Sequence, residues 1–257
     1  MLDESQILAA LQDYELSHKC FHNYLKWLFS NCSDSLEKND LIRTITTDSG
    51  RLERLEKLLN SSKSILGLNT MDFCNVFGFK RELLTGDHEK VHDILAEPLL
   101  AVTLNNLGFS DIEKLPKFIK SNNNRLPIAD FLACFQSKFY AIELKTIRME
   151  DESKTHQEGP LPPALIPSWW RTMLISNIFT KIKNKDHKLI KQLQNTCQHY
   201  GCDTTMLAIY TMRSGPSALS GVDEYEEDLK YIAGQCTNID SFLIKDHSDQ
   251  IAIYPPI

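Results

Sequence analysis

The first part of the chain carries apolar residues at the three- and four-residue spacing that is typical of amphipathic helices. This spacing predicts helices over Asp3–Phe29, Arg51–Leu59 and Thr70–Phe77, with polar breaks between them. No pattern in this region indicates a reactive site. We therefore assign residues 1–85 to an all-α N-terminal region that serves as an interface or a specificity element.

The pattern changes near residue 86. The apolar positions of His88–Leu107 predict a long helix, which the following glycine ends. Two segments rich in aromatic and branched apolar residues come next, Leu126–Phe135 and Lys138–Ile147, and only Gln136 and Ser137 separate them. This arrangement predicts a β-hairpin of two antiparallel strands.

The rest of the chain alternates between helical and strand patterns. Its proline and glycine residues predict a loop over Arg148–Pro167. Periodicity then predicts, in order, the helices Ser168–Lys183 and His187–Tyr200, a buried strand Thr204–Met212, a helix Glu224–Ala233, and the strands Ser241–Lys245 and Gln250–Tyr254. For residues 86–257 these elements predict an α/β fold with a mixed central sheet flanked by helices.

The predicted hairpin carries charged residues within an apolar frame. Side chains of a strand alternate between its two faces, so Glu143 and Lys145 project on the same side. A turn centred on Ser137 and Lys138 would place Asp130 opposite Lys145, within one residue if the loop has three residues. Two carboxylates at that separation suit Mg²⁺, and the lysine would stabilise charge on an attacked phosphate. The constellation therefore predicts phosphodiester hydrolysis.

A purely structural interpretation of the same residues is open. An E-x-K pattern is common in strands, and a salt bridge between Glu143 and Lys145, or a cross-strand pair of Asp130 with Lys145, would satisfy these charges without a metal. Catalysis is favoured by the combination of the three residues with a preceding helix, a hairpin, and a following helix and buried strand.

Two short motifs in this region resemble those of a known family. The letters P-I-A-D at Pro127–Asp130, followed by E-L-K at Glu143–Lys145, resemble the signature of the PD-(D/E)XK nuclease superfamily. The resemblance covers about Glu89–Met212 and implies a restriction-endonuclease-like core. Here two residues separate the proline and the aspartate, whereas the namesake motif has them adjacent.

The resemblance also implies a role for each residue. Asp130 and Glu143 would be metal ligands, and Lys145 would be catalytic. A glutamate on the preceding core helix often completes such a site, as a further ligand, and Glu97 matches it by position. Because a proline follows Glu97 and can start or kink the helix there, Glu89 is kept as a substitute.

The implied activity is that of a Mg²⁺-dependent DNA endonuclease of restriction or host-defence type, with Mn²⁺ as a substitute ion. RNA stays open as the substrate, because phosphodiester chemistry does not distinguish it from DNA. We expect a homodimer, since one site cuts one strand. One alternative is a non-catalytic nucleic-acid-binding or assembly protein that retains the nuclease fold. The other is a helical regulatory or adaptor protein, in which the C-terminal half merely scaffolds the N-terminal helices.

Charge is distributed unevenly along the chain. The net charge is −6, and the residues from Asp223 onward account for all of it. Any contact with nucleic acid must therefore be local, and a basic stretch supplies these candidate nucleic-acid-binding residues: Lys181, Lys183, Lys185, Lys188 and Lys191. A solvated helix face explains the same lysines equally well. Nearby, Gln192 or Gln194 matches a polar residue that faces the site in the superfamily, and periodicity does not choose between them.

The remaining composition excludes several classes of protein. The seven cysteines show no CxxC pair and no regular spacing, so we expect reduced, structural thiols rather than a disulfide framework or a metal centre. Neither an HExxH motif nor a phosphate-cradling glycine loop occurs. The N-terminus lacks the pattern of a signal peptide, and no apolar run approaches the ~20 residues of a membrane span. We expect a cytoplasmic protein with no membrane partner.

Overall fold

Two helices form most of the described part of the first half of the chain. The computed structural model describes residues 49–69, 72–73, 76–77, 88–121, 124–147, 188–211, 222–246 and 251–256. The chain divides into two compact units, Met1–Gly108 and Phe109–Ile257. The roles that the sequence assigns to residues 1–85 and 86–257 stay predictions.

In the first unit, α1 (Ser49–Ile65) packs against α2 (His88–Asn106). Both helices lie where the apolar spacing predicts them. Gly108 ends the second helix with a positive φ of 88°, a conformation that glycine adopts without steric cost. Pro98 is buried inside α2, which continues through it instead of starting there.

The described residues of the second unit contain eight strands, namely β1 (Ser110–Lys114), β2 (Phe118–Ser121), β3 (Asn124–Pro127), β4 (Phe131–Phe135), β5 (Lys138–Ile147), β6 (Thr204–Thr211), β7 (Ser241–Asp246) and β8 (Ile251–Tyr254). Six of these described strands form one mixed sheet. The order in the large sheet is β1-β4-β5-β6-β7-β8, and β2 pairs with β3 in a separate sheet. Strands β5, β6 and β7 run parallel, and every other pair is antiparallel. The predicted α/β class with a mixed sheet is confirmed.

Parallel strands require crossover connections, and the described part of each connection includes a helix. Helix α3 (Lys188–Tyr200) lies between β5 and β6 in the chain, and α4 (Val222–Gln235) lies between β6 and β7. The face of α3 that carries Leu189, Ile190 and Leu193 is buried at helical spacing, which follows the amphipathic pattern of its sequence. These residues join side chains of α4 and of the sheet in one hydrophobic core.

The hairpin of β4 and β5 has a two-residue turn. Phe135 pairs with Lys138, and Gln136 and Ser137 both take positive φ angles, 49° and 64°, as a two-residue turn of this hand requires. The predicted turn, centred one residue later, is therefore wrong. In the observed register Phe131 pairs with Ile142, and Asp130 lies just before the ladder, where its amide donates to the carbonyl of Ile142 at 3.0 Å. Continued by one residue, this register sets Asp130 beside Glu143 and not beside Lys145.

The predicted strand Leu126–Phe135 is broken in the middle. Its first part is β3, which pairs with β2, and its second part is β4. Pro127 has no amide proton for a ladder, and it closes β3. Residues Ile128–Asp130 lie between the two strands and carry the aspartate of the predicted site.

Most other predicted elements are confirmed within one or two residues, namely β5, α3, β6, α4, β7 and β8. Strands β1 and β2 are not predicted by the apolar pattern. The predicted helix Asp3–Phe29, the loop Arg148–Pro167 and the helix Ser168–Lys183 lie outside the described residues. None of the helices that the structure describes is long and apolar enough to cross a membrane.

Candidate functional site

Asp130 is held between the strands on both sides of it. Its Oδ2 accepts a hydrogen bond from the Leu144 amide at 2.9 Å, and its Oδ1 lies 3.2 Å from the ammonium of Lys114. Its main chain is also fixed, since its carbonyl accepts from the Leu115 amide at 2.9 Å. The side chain keeps 23% of its surface exposed, so the carboxylate is ordered but still reachable.

Glu143 is the buried member of the site. It is 1% exposed, and its Oε1 accepts a hydrogen bond from the ammonium of Lys145, two residues along the same strand. Its Oε2 has no hydrogen-bond partner among the described residues. A buried carboxylate oxygen without a donor is costly, so this atom calls for a proton or a cation.

The surroundings of Glu143 favour its neutral form. Burial raises the pKa of Glu143 from 4.5 to about 8, and the negative charge of Asp130 adds to the increase. The ammonium groups of Lys145 and Lys114 oppose it without cancelling it. A buried carboxyl whose pKa is raised by a second carboxylate is also suited to sharing a divalent cation with it.

Lys114 is a site residue that the sequence analysis missed. It ends β1, its side chain is 7% exposed, and its ammonium pairs with Asp130 and lies 4.9 Å from the centre of the Phe131 ring. The contact depends on the pairing of β1 with β4, where Lys114 stands opposite Phe131. No local motif marks that pairing, so only a correct prediction of β1 would have found it.

Three polar residues of α3 fix the segment that leads into Asp130. Gln192 donates to the carbonyl of Ile128 at 3.0 Å, and Asn195 donates to the carbonyl of Pro127 at 2.8 Å. The hydroxyl of Thr196 accepts from the Ala129 amide at 2.7 Å and donates to the carbonyl of Gln192 at 2.7 Å. The helix thus supplies hydrogen-bond partners for backbone groups of residues 127–129, at the break between β3 and β4.

These contacts decide between the two glutamines that the sequence left open. Gln192 is half-buried and binds the segment before Asp130, whereas Gln194 is exposed. The same helix presents Lys188 and Lys191 on its exposed side. The other candidate nucleic-acid-binding lysines, Lys181, Lys183 and Lys185, lie outside the described residues.

The structure brings Asp130, Glu143 and Lys145 together in the second unit. Glu97 is half-buried on α2 in the first unit, and its place in the site stays a prediction. The backbone of Glu89 lies on the same helix, and its side chain is outside the described residues.

The site offers two carboxylates for a metal ion. Among the described residues no group of three or more His, Cys, Asp or Glu side chains could hold a metal. Mg²⁺, however, keeps several waters and is commonly bound through one or two carboxylates. Oε2 of Glu143, beside Asp130, fits that ion, since a hard cation would supply the partner that no described residue gives this oxygen.

Comparison with known proteins adds no assignment. No protein-family model, no curated protein and no solved structure matches this chain.

Proposed function

We propose that this protein is a Mg²⁺-dependent nuclease with a restriction-endonuclease-like core, and that it hydrolyses phosphodiester bonds of DNA. The observation that carries the proposal is the buried Oε2 of Glu143, which has no hydrogen-bond partner in the described part of the chain and belongs to a carboxyl beside Asp130 and the ammonium of Lys145. A carboxylate in this position can bind a cation, and the lysine ammonium can bind an anion.

The order of elements supports the same proposal. Along the described residues from α2 to β6 lie a helix, a glycine turn, the strand β1, the β2–β3 pair, the hairpin of β4 and β5, a further helix and a buried parallel strand. Apart from the β2–β3 pair, this is the order that the resemblance to the PD-(D/E)XK superfamily implies. Because β4, β5 and β6 are neighbours in the large sheet, Glu143 lies on an interior strand, and Asp130 directly precedes the adjacent strand β4.

Asp130 and Glu143 would hold the ion. When bound, Mg²⁺ supplies positive charge that polarises a phosphoryl oxygen and acidifies water. Since the pKa of Glu143 is about 8 in the absence of a cation, binding at neutral pH must displace its proton. The 2.9 Å hydrogen bond from the Leu144 amide fixes the orientation of the Asp130 carboxylate.

Lys145 would act on the substrate. Its side chain is 29% exposed, so its ammonium reaches both the buried Glu143 and the solvent side where a phosphate would bind. There it can stabilise the negative charge that builds at phosphorus. Lys114 is 7% exposed and instead neutralises Asp130, so it competes with a cation for that carboxylate.

A second candidate is a non-catalytic nucleic-acid-binding or assembly protein with the same fold. The observation that favours it is that Lys114 and Lys145 each pair with one of the two carboxylates, which lets the cluster exist as a salt-bridge network. This arrangement leaves Oε2 of Glu143 unexplained, and for that reason we place it second.

A cleavage assay with matched variants separates the two. Plasmid DNA, linear duplex, single-stranded DNA and RNA are incubated with Mg²⁺, Mn²⁺ or EDTA. We expect divalent-dependent cleavage of DNA by the wild type, and a loss of at least about 100-fold in Glu143→Gln and Lys145→Met. The controls are Glu113→Gln, which changes an exposed residue of β1, and Lys138→Met, which changes an exposed residue of β5. Both should retain activity.

The outcomes are distinct. Cleavage that survives in Glu143→Gln or Lys145→Met would overturn the assigned roles. Absence of divalent-dependent cleavage on all four substrates, with nucleic-acid binding retained, would support the non-catalytic protein. Cleavage of RNA alone would keep the chemistry and correct the substrate.

A further inference from the structure

The C-terminal end of α3 brings two cysteines to one place. The helix ends at Tyr200, and Gly201 follows with a φ of 69°. The Gly201 amide donates to the carbonyl of Cys197 at 2.9 Å. A left-handed glycine at this position folds the chain back, so that the residue after it packs over the last helical turn. That residue is Cys202.

The two thiols lie beside each other. The sulfur of Cys202 lies 4.0 Å from the carbonyl oxygen of Thr196, the residue before Cys197, and the two thiols are within hydrogen-bonding reach of each other. Both side chains are half-buried against the core of the second unit, and both are free thiols. They are therefore close enough to react with each other and open enough to meet a small reagent.

The contact makes the two thiols unequal. The hydrogen bond from Cys202 lowers the pKa of Cys197, against burial and the charges of Asp240 and Asp203. The same bond raises the pKa of Cys202. Since the thiolate is the nucleophile, Cys197 is the sulfur that attacks and Cys202 the one that resolves.

We propose that Cys197 and Cys202 form a reversible disulfide site for small thiol compounds at the end of α3. The thiolate of Cys197 attacks one sulfur of an oxidised small thiol, such as glutathione disulfide, and forms a mixed disulfide while one thiol leaves. Cys202 then loses its proton and attacks the sulfur of Cys197, releasing the second small thiol. One external disulfide is reduced to two thiols, and two protein thiols become one disulfide.

The site lies next to the contact that fixes the Asp130 segment. Thr196 precedes Cys197, and its hydroxyl accepts a hydrogen bond from the Ala129 amide at 2.7 Å. Oxidation would draw the two sulfurs to about 2.05 Å and move the Cys202 sulfur, which now lies 4.0 Å from the Thr196 carbonyl. We expect this movement to shift the last turn of α3 and to weaken the hydrogen bond between Thr196 and the Ala129 amide, one residue before Asp130.

The chemical test uses the whole protein under native conditions with glutathione disulfide. Mapping of peptides without reduction should show a Cys197–Cys202 link in the wild type that dithiothreitol removes. In Cys202→Ser the reaction should stop at the mixed disulfide, with one glutathione on Cys197. In Cys197→Ser the remaining thiol of Cys202 should form a mixed disulfide at least about tenfold more slowly than Cys197 does. Cys236→Ser is the matched control, because burial raises the pKa of that thiol to about 11.

The coupling is tested by hydrogen exchange, which requires neither metal nor substrate. The peptide that contains Ala129 should exchange at least about threefold faster in the oxidised wild type, and return to its original rate after reduction. Absence of the Cys197–Cys202 link in the wild type, or its loss in Cys236→Ser, would overturn the site. A link that forms with unchanged exchange at Ala129 would overturn the coupling. Neither outcome depends on whether the protein is a nuclease.

Discussion

Replacing Glu143 by glutamine should remove a pH dependence from the stability of the fold. Glutamine has the shape of the neutral acid and cannot ionise. In the wild type the folded-state pKa of Glu143 is about 8, above the ordinary 4.5 of an unfolded chain, because the carboxyl is buried beside Asp130. A raised pKa means that the folded state binds the proton more tightly than the unfolded state does.

The sign follows from that difference. Below pH 4.5 both states hold the proton and Glu143 costs the fold nothing. Between pH 4.5 and about 8 the unfolded state releases its proton while the folded state keeps it, so stability falls as pH rises. At about 1.4 kcal/mol for each pH unit, the full loss is on the order of 5 kcal/mol by pH 8. Above that pH both states are ionised and the loss is complete.

Urea unfolding at closely spaced pH values measures this loss. The free energy of unfolding of Glu143→Gln minus that of the wild type should be near zero at pH 4.5, rise through neutral pH, and level off above pH 8. Other titrating groups cancel in the difference. Glu113→Gln changes an exposed carboxyl and should give a flat difference. A flat difference for Glu143→Gln would refute the claim that its carboxyl is buried in its neutral form.

The same variant series tests the cation. In wild type at pH 8, Mg²⁺ should restore part of the lost stability, because binding the ion compensates the buried charge. Glu143→Gln should show much less of this effect. Equal stabilisation of both proteins by Mg²⁺ would place the ion elsewhere.

Three further changes probe neighbouring residues. Lys114→Met should raise the affinity for Mn²⁺ about tenfold in titration calorimetry, because it removes the ammonium 3.2 Å from Asp130. Thr196→Val should cost about 1–3 kcal/mol in urea unfolding, since it leaves a buried backbone amide without an acceptor. Changing Lys188 and Lys191 to glutamine should weaken DNA binding. It should also reduce the slope of log affinity against log salt concentration by about one for each lysine that contacts phosphate.

Each of these expectations has its own contrary result. Unchanged Mn²⁺ affinity in Lys114→Met would show that the lysine does not compete for Asp130. The control Gln194→Ala changes an exposed residue of the same helix as Thr196, and it should lower the free energy of unfolding by less than about 0.5 kcal/mol. If Gln194→Ala and Thr196→Val lose equal stability, the cause is helix propensity and not the bond to Ala129. An unaltered salt slope would assign Lys188 and Lys191 to a solvated face.

Much of the hairpin could be predicted from sequence because its apolar and branched residues are dense. The bounds of β5 and the shared face of Glu143 and Lys145 follow from the alternation of side chains alone. The register could not be fixed, because Gln136 and Ser137 are not the Asn-Gly or Gly pair that marks a two-residue turn. The error moved the residue opposite Asp130 by two positions and left it on the same face.

The strands β1 and β2 were missed for a different reason. Their sequences, SDIEK and FIKS, are short and mostly polar, and neither shows a clear alternation. Lys114 was missed with them, since its contact with Asp130 arises only when β1 pairs with β4 across an irregular register. Likewise, the contact of Thr196 with Ala129 joins residues 67 positions apart, which no local pattern encodes.

The position of a bound ion tests the central claim most directly. Crystals of the wild type soaked with Mn²⁺ would reveal the ion by its anomalous scattering. We predict a peak in contact with Oε2 of Glu143 and a carboxylate oxygen of Asp130, with the Lys114 ammonium displaced. A peak at other residues, or none while both lysine–carboxylate pairs stay intact, would contradict a divalent cation site between these carboxylates.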